Sequence, residues 1–331
     1  MSKLGLSASV LGSSDANCLP RVRNTPCANA LSRCLGTLLV GAGTLGRSGV
    51  GVICSIFLCL ANVATAFAIS PATLLQSATS DFQAGKFASA SIKYHNLLER
   101  NLTYPQLRDV LLSYCESALR EGKLAKAESL TGVAKEKLSD PPAIGRVSFL
   151  RAEILYFKGD MKQALDEYMD FLSGNTKSPL ANDVIDRLLL IDENGGDNGE
   201  PLVAYSHAEF LEFAGVPDSA TAALRELLKS FPSSHIADDA RIKIGDILSS
   251  QAKFSEAVEE YRVLETSLPK SQLVPLAKLK IAQLYLDRLR EPDKATTEYE
   301  SIVTSFPETS FAAEARSELQ KLKAGSSKRN R

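Results

Sequence analysis

The stretch Gly245-Asp-Ile-Leu-Ser-Ser-Gln-Ala-Lys-Phe-Ser-Glu-Ala257-Val-Glu-Glu-Tyr261 decides how the rest of the chain is read. A small residue at 245 is followed twelve positions on by Ala257, and Ala257 is followed four positions on by Tyr261. Ala252-Lys-Phe, between them, reads as a short turn joining two helices. A small residue on the first helix and an alanine on the second let the two approach closely. The aromatic side chain, one turn further along the same face, fills the space beside them.

The same pattern recurs outward in both directions. The second-helix pairs are Ala90/Tyr94, Ala127/Thr131, Ala164/Tyr168, Ala220/Leu224, Ala257/Tyr261 and Ala295/Tyr299, with Thr131 the weakest member. Their alanines are 37, 37, 56, 37 and 38 residues apart. Twelve residues earlier lie Ala78, Cys115, Ala152, Ala208 and Gly245; in the last unit Ala282 lies thirteen earlier, so that unit carries one extra residue. The turns begin at Gly85, Gly122, Gly159, Gly215, Ala252 and Arg290, and Pro232, Pro269 and Pro307 follow the last three units. Glycine past a helix end and proline at the next start are the expected chemistry. Self-similarity at this period signals a solenoid of helix pairs.

The small/Ala/aromatic/Pro set resembles the tetratricopeptide repeat over about 255 residues, although the 37-residue spacing exceeds the usual 34. The segments Phe231-Pro-Ser-Ser-His-Ile-Ala-Asp-Asp-Ala240 and Phe306-Pro-Glu-Thr-Ser-Phe-Ala-Ala-Glu-Ala315 are similar to linkers of exported bacterial repeat proteins. Two such families are the periplasmic partner of the Tol–Pal system and the outer-membrane barrel-assembly lipoprotein, and the resemblance is confined to their repeats. The implied fold is all-α, a right-handed solenoid of six antiparallel helix pairs over residues 69–324. An additional helix over about 180–193 occupies the long interval, a capping helix covers about 310–323, and residues 325–331 form a disordered tail.

The resemblance also implies a function, a protein-binding scaffold without catalysis. In this repeat the positions one and four after the small residue face the concave surface, which gives Glu116, Glu153 and Tyr156, Glu209 and Glu212, and Asp246. With Tyr205 and Phe213 nearby, these residues predict an acidic, aromatic-flanked groove for a basic or amphipathic protein segment. Reversing Glu153, Glu209 and Asp246 to Lys is expected to abolish capture and leave folding intact. The second reading is a structural subunit of an envelope assembly with no dedicated groove.

Residues 1–68 read differently. The stretch from Ser48 to Ile69 is uncharged, follows Arg47, and ends in Ala64-Thr-Ala66-Phe-Ala68, the parts of a secretory signal with cleavage after Ala68. Its start lies too far upstream for an ordinary signal, so three alternatives stay open: a later translation start, an organelle transit peptide, or an uncleaved anchor over 48–69. The expected location is the periplasm or envelope. Five of the six cysteines precede residue 69, leaving Cys115 without an internal disulfide partner. From 69 on, 33 basic residues face 38 acidic ones, a net of −5, which argues against a nucleic-acid partner.

The chemistry of enzymes is sparse. Gly41-Ala-Gly43-Thr-Leu-Gly46 is a literal G-x-G-x-x-G, but the next acidic residue is Asp81, too distant to serve a ribose. His95, His207 and His235 fall at unrelated repeat positions, and Asp238-Asp239 reads as a solvated face. Cys115 reads as a buried packing thiol, and Asn101-Leu-Thr103 is a glycosylation sequon only in a eukaryotic secretory setting. No cofactor, metal or small-molecule substrate is expected.

Overall fold

The computed structural model describes residues 69–195 and 199–329, and the leader reading therefore lies outside the described residues. Ser77–Arg331 belong to one compact unit, and residues 69–76 are the described part of a second. Among the described residues every regular element is helical.

The helix pairs are α1 Pro71–Gln83 with α2 Phe87–Leu98, α3 Tyr104–Arg120 with α4 Leu124–Lys137, and α5 Pro141–Phe157 with α6 Met161–Asn175. Helix α7, Ala181–Asn194, follows alone. Then come α8 Glu200–Phe213 with α9 Pro217–Ser230, α10 Ala237–Ser250 with α11 Phe254–Ser267, and α12 Val274–Leu284 with α13 Pro292–Ser305. The last helix is α14, Ser310–Arg329. Second helices pack on the helix that follows them: α2 on α3, α4 on α5, α9 on α10 and α11 on α12, with α6 on the lone α7 and α13 on α14. Along the other side, first helices meet directly, α3 with α5 and α5 with α8.

The small positions do what their spacing requires. Ala78, Cys115, Ala152, Ala208 and Ala282 and the partner alanines 90, 127, 164, 220, 257 and 295 are all 0% exposed. Tyr94, Tyr168, Tyr261 and Tyr299 are fully buried beside them. Gly245 is the tightest of these sites: a Cβ there would lie 2.6 Å from both Cδ1 and Cζ of Tyr261.

All six turns open with a left-handed residue, and in two of them that residue is not glycine: Ala252 has φ +61° and Arg290 has φ +60°. The backbone closes the same way in five units, for example Lys253 N–H to the Leu248 carbonyl at 3.0 Å, five residues back. In the sixth, Glu291 N–H reaches six residues back, to Tyr285, at 2.8 Å. The extra residue of that unit is taken up by a π turn over Tyr285–Leu289, the usual way a helix absorbs an insertion.

One boundary departs from the sequence reading. Helix α14 runs to Arg329, through the segment expected to be a disordered tail from 325. A lone Gly325 costs a helix about 1 kcal/mol, and no proline stands there to stop it.

Candidate functional site

The residue after each small position does form a row along the first helices, but it is a row of ion pairs. Glu116 on α3 meets Arg146 of α5 at 3.2 Å. Glu209 on α8 meets Lys243 of α10 at 3.0 Å, and Asp246 on α10 meets Lys280 of α12 at 2.7 Å. Lys243 also lies 3.5 Å from Glu212. In the sixth unit Gln283 takes the place and donates to Glu314 of α14 at 3.1 Å. Each carboxylate is thus neutralised by the next first helix along.

Between the third and fourth pairs the cation comes from α7. The Arg187 guanidinium donates to Glu209 at 2.6 Å and lies 3.6 Å from Glu153. It also stacks on Tyr156, 3.9 Å from the ring centroid. The Tyr156 hydroxyl donates to Glu209 at 2.8 Å, and the Tyr168 hydroxyl donates to Glu153. Arg187, Glu153 and Glu209 are all buried. Taking such charges out of water costs several kcal/mol per ion unless each is paired and hydrogen-bonded, as they are here.

The two carboxyls respond in opposite directions. Burial pushes Glu209 up, but Arg187 and Lys243 together outweigh it and hold the group at about 2. Burial also raises Glu153, and there the longer Arg187 contact and the Tyr168 hydroxyl do not outweigh it. Arg187 itself is pushed well up, because Glu209, Tyr156 and Glu153 overcome the effect of burial.

The open acidic groove is therefore corrected. Glu153, Tyr156, Tyr205 and Glu209 are interior side chains. Glu116, Glu212, Phe213 and Asp246 are half-buried. Phe213 is engaged by the chain itself: the Arg120 guanidinium of α3 stacks on it at 3.9 Å, and Phe157 packs against it with centroids 5.7 Å apart. Reading carboxylates alone missed the cations. The signal was present in the spacing, since Arg187, Lys243 and Lys280 each stand 34 residues after Glu153, Glu209 and Asp246.

Other candidates resolve individually. Burial pushes the Cys115 thiol up to about 12, the chemistry of a packing residue. The three histidines are exposed, and among the described residues no cluster of His, Cys, Asp and Glu is placed to hold a metal ion. Asp239 departs from the solvated face expected of it: burial, then Asp238 and Glu209, raise its carboxyl to about 7.

Residues 276–309 match the sequence model of the tetratricopeptide repeat. No curated protein matches the chain. Solved structures similar to it include the tetratricopeptide domain of P58(IPK), at 19% identity over 77% of this chain and 66% of that one, with a TM-score of 0.33. Another is the TPR2AB domain of yeast Sti1 in complex with pHSP90, at 15% identity over 76% of this chain and 96% of that one, TM-score 0.33. A third is YrrB, described as having an unusual peptide-binding site, at 16% identity over 63% of this chain and 91% of that one, TM-score 0.30. With the matched repeat in place and its register repeated in the other helix pairs, the chain is an all-α solenoid of the tetratricopeptide-repeat type.

Proposed function

We propose that the protein is a non-catalytic protein-binding scaffold of the cell envelope, exported by the segment ending at Ala68. It holds a partner segment on the first-helix face of its last three pairs. Solenoids generally use an extended surface of stacked repeats in this way. The observation that carries the reading is the contrast along the row. Around Arg187 the charges are sealed inside, whereas Glu212 and Asp246 keep side-chain exposures of 35% and 33% beside Lys243 and Lys280. Such half-exposed pairs leave carboxylate oxygens to meet basic side chains and ammonium protons to meet carbonyls of a partner, with salt-sensitive affinity. The alternative, a structural subunit of an envelope assembly, needs no such face.

A photo-crosslinking residue at Ser249, on this face, tests the proposal in intact cells against one at exposed Lys229 on α9. A discrete crosslinked species from 249 and none from 229 is the expected result. Equal products from both positions, or products from 229 alone, sink it. Mass spectrometry of the same native protein is expected to find its N-terminus near Ile69, and an intact Met1 sinks the cleavage after Ala68.

A further inference from the structure

Helix α7 breaks the 37-residue period, and its register says what it is. Arg187 stands 34 residues after Glu153, the offset that Lys243 keeps from Glu209 and Lys280 from Asp246. Those two lysines are on first helices, each two residues before the small position. By the same register α7 is a first helix, and its small position is residue 189, which is also 37 residues after Ala152. Twelve residues further on, where a second helix should offer its alanine, the chain has already begun α8, itself a first helix paired with α9. Helix α7 has no second helix of its own.

The face where that helix would pack is uncovered. At the equivalent position Ala78, Cys115, Ala152, Ala208 and Ala282 are completely buried, whereas Leu189 is 53% exposed. Ile185, one turn earlier on the same face, is 43% exposed. The opposite side of α7, carrying Val184, Arg187 and Ile191, is buried against the array. Asp192 and Glu193 stand exposed at the end of the apolar stripe, and Asp186 is exposed beside Ile185.

We infer that the Ile185/Leu189 face of α7 takes a helix supplied by another protein, an amphipathic helix with an apolar stripe flanked by Lys or Arg. The partner helix fills the place of the missing second helix, and the exposed carboxylates select its charge. The same carboxylates argue against a second copy of this chain. Arg187, the one basic residue of α7, is buried, so the same helix of a second copy would offer Asp192 and Glu193 no cation. A large Leu where the other units have a small residue also sets a wider helix separation than within a pair. The surface is distinct from the first-helix face around Ser249, so either can fail alone.

The test uses the full chain as purified and a fluorescein-labelled helical peptide of about five turns, with Ala and Leu at i, i+4 spacing and Lys on both flanks. A second peptide has every Lys replaced by Glu. Anisotropy is expected to show binding of the Lys peptide that weakens with salt, and none of the Glu peptide. The double variant Ile185→Ser/Leu189→Ser is expected to weaken binding at least tenfold, and Asp192→Lys/Glu193→Lys to do the same. Ile92→Ser, at the more exposed Ile92 on α2, is expected to leave it unchanged. These side chains are on the surface, so unchanged circular dichroism and melting confirm that every variant is folded. No binding of the Lys peptide, equal binding of both peptides, or binding untouched by the α7 variants overturns the inference. So does sedimentation showing a wild-type dimer that the Ile185/Leu189 variant dissolves, because the occupant is then a second copy.

Discussion

Gly245 and Ala152 hold the same place in two units, and one methylene on a neighbour separates them. Tyr168 donates to Glu153, the residue after Ala152; Tyr261 lies against Gly245 and donates to Asp246, the residue after it. The shorter aspartate draws the Tyr261 ring toward its helix, into the space a Cβ would fill. Gly245→Ala is therefore expected to overpack the unit and cost about 1–3 kcal/mol, measured by chemical denaturation. An unchanged midpoint would show that the ring swings away freely. Ala252 offers the opposite case. Its left-handed backbone costs an L-residue about 1–2 kcal/mol, part of which glycine gives back as unfolded-state entropy. Ala252→Gly is expected to stabilise by about 0.5–1 kcal/mol, and a fall in melting temperature contradicts the assignment.

Helix α7 shows how far the sequence could be read at the scale of elements. Its existence followed from an interval of 56 where 37 was the rule. The helix pairs followed from small residues, because close approach leaves a mark at every unit in the one-letter code. The charge row did not follow. A carboxylate one residue past each small position looks solvent-facing until the cation that covers it is sought a whole unit away. Glu153 and Glu209 illustrate the difference: sequence position placed them on a face, and Arg187, from another element, made that face interior. Reversing them to Lys crowds cations around a buried guanidinium, so that variant no longer leaves folding intact.

Arg187→Met is the cleaner probe of this element. Removing one partner of a buried network leaves the others unpaired, at a cost of about 3–5 kcal/mol. The sign with pH distinguishes charge from packing. In the native protein Glu209 is depressed to about 2 from 4.5. Its contribution is complete above pH 4.5 and is lost as pH falls toward 2. Without Arg187, Glu153 keeps only the Tyr168 hydroxyl against its burial and its carboxyl rises further, while Lys243 still pairs with Glu209, so the variant gains stability as pH is lowered from 7 to 5. Denaturation midpoints of the two proteins are expected to converge over that range. Parallel curves would assign the loss to the missing side-chain volume instead.

At the scale of the whole molecule, from the second unit to the sixth each is tied to the next by apolar packing and by a charge pair crossing the boundary, so neighbouring units support one another. The sixth pair adds a record of how such an array tolerates change. Its first helix is one residue too long for the 12-residue spacing kept elsewhere, and the π turn at Tyr285–Leu289 takes up the surplus before Arg290 closes the turn. Ala282 and Ala295 still meet, both completely buried. Shortening a helix by one residue ordinarily rotates everything beyond it by about 100° and ruins its packing. In this helix the deletion works in reverse: removing exposed Arg288 restores the common spacing, turns the wide loop of backbone into an ordinary helical turn, and leaves Ala282 opposite Ala295. The shortened protein is expected to melt at or above the temperature of the parent, whereas deleting Ser249 from the regular fifth unit is expected to destabilise it by several degrees. The chain can therefore gain or shed a residue at that turn without refolding its neighbours, so a change of length costs this array least where a π turn already stands ready to absorb it.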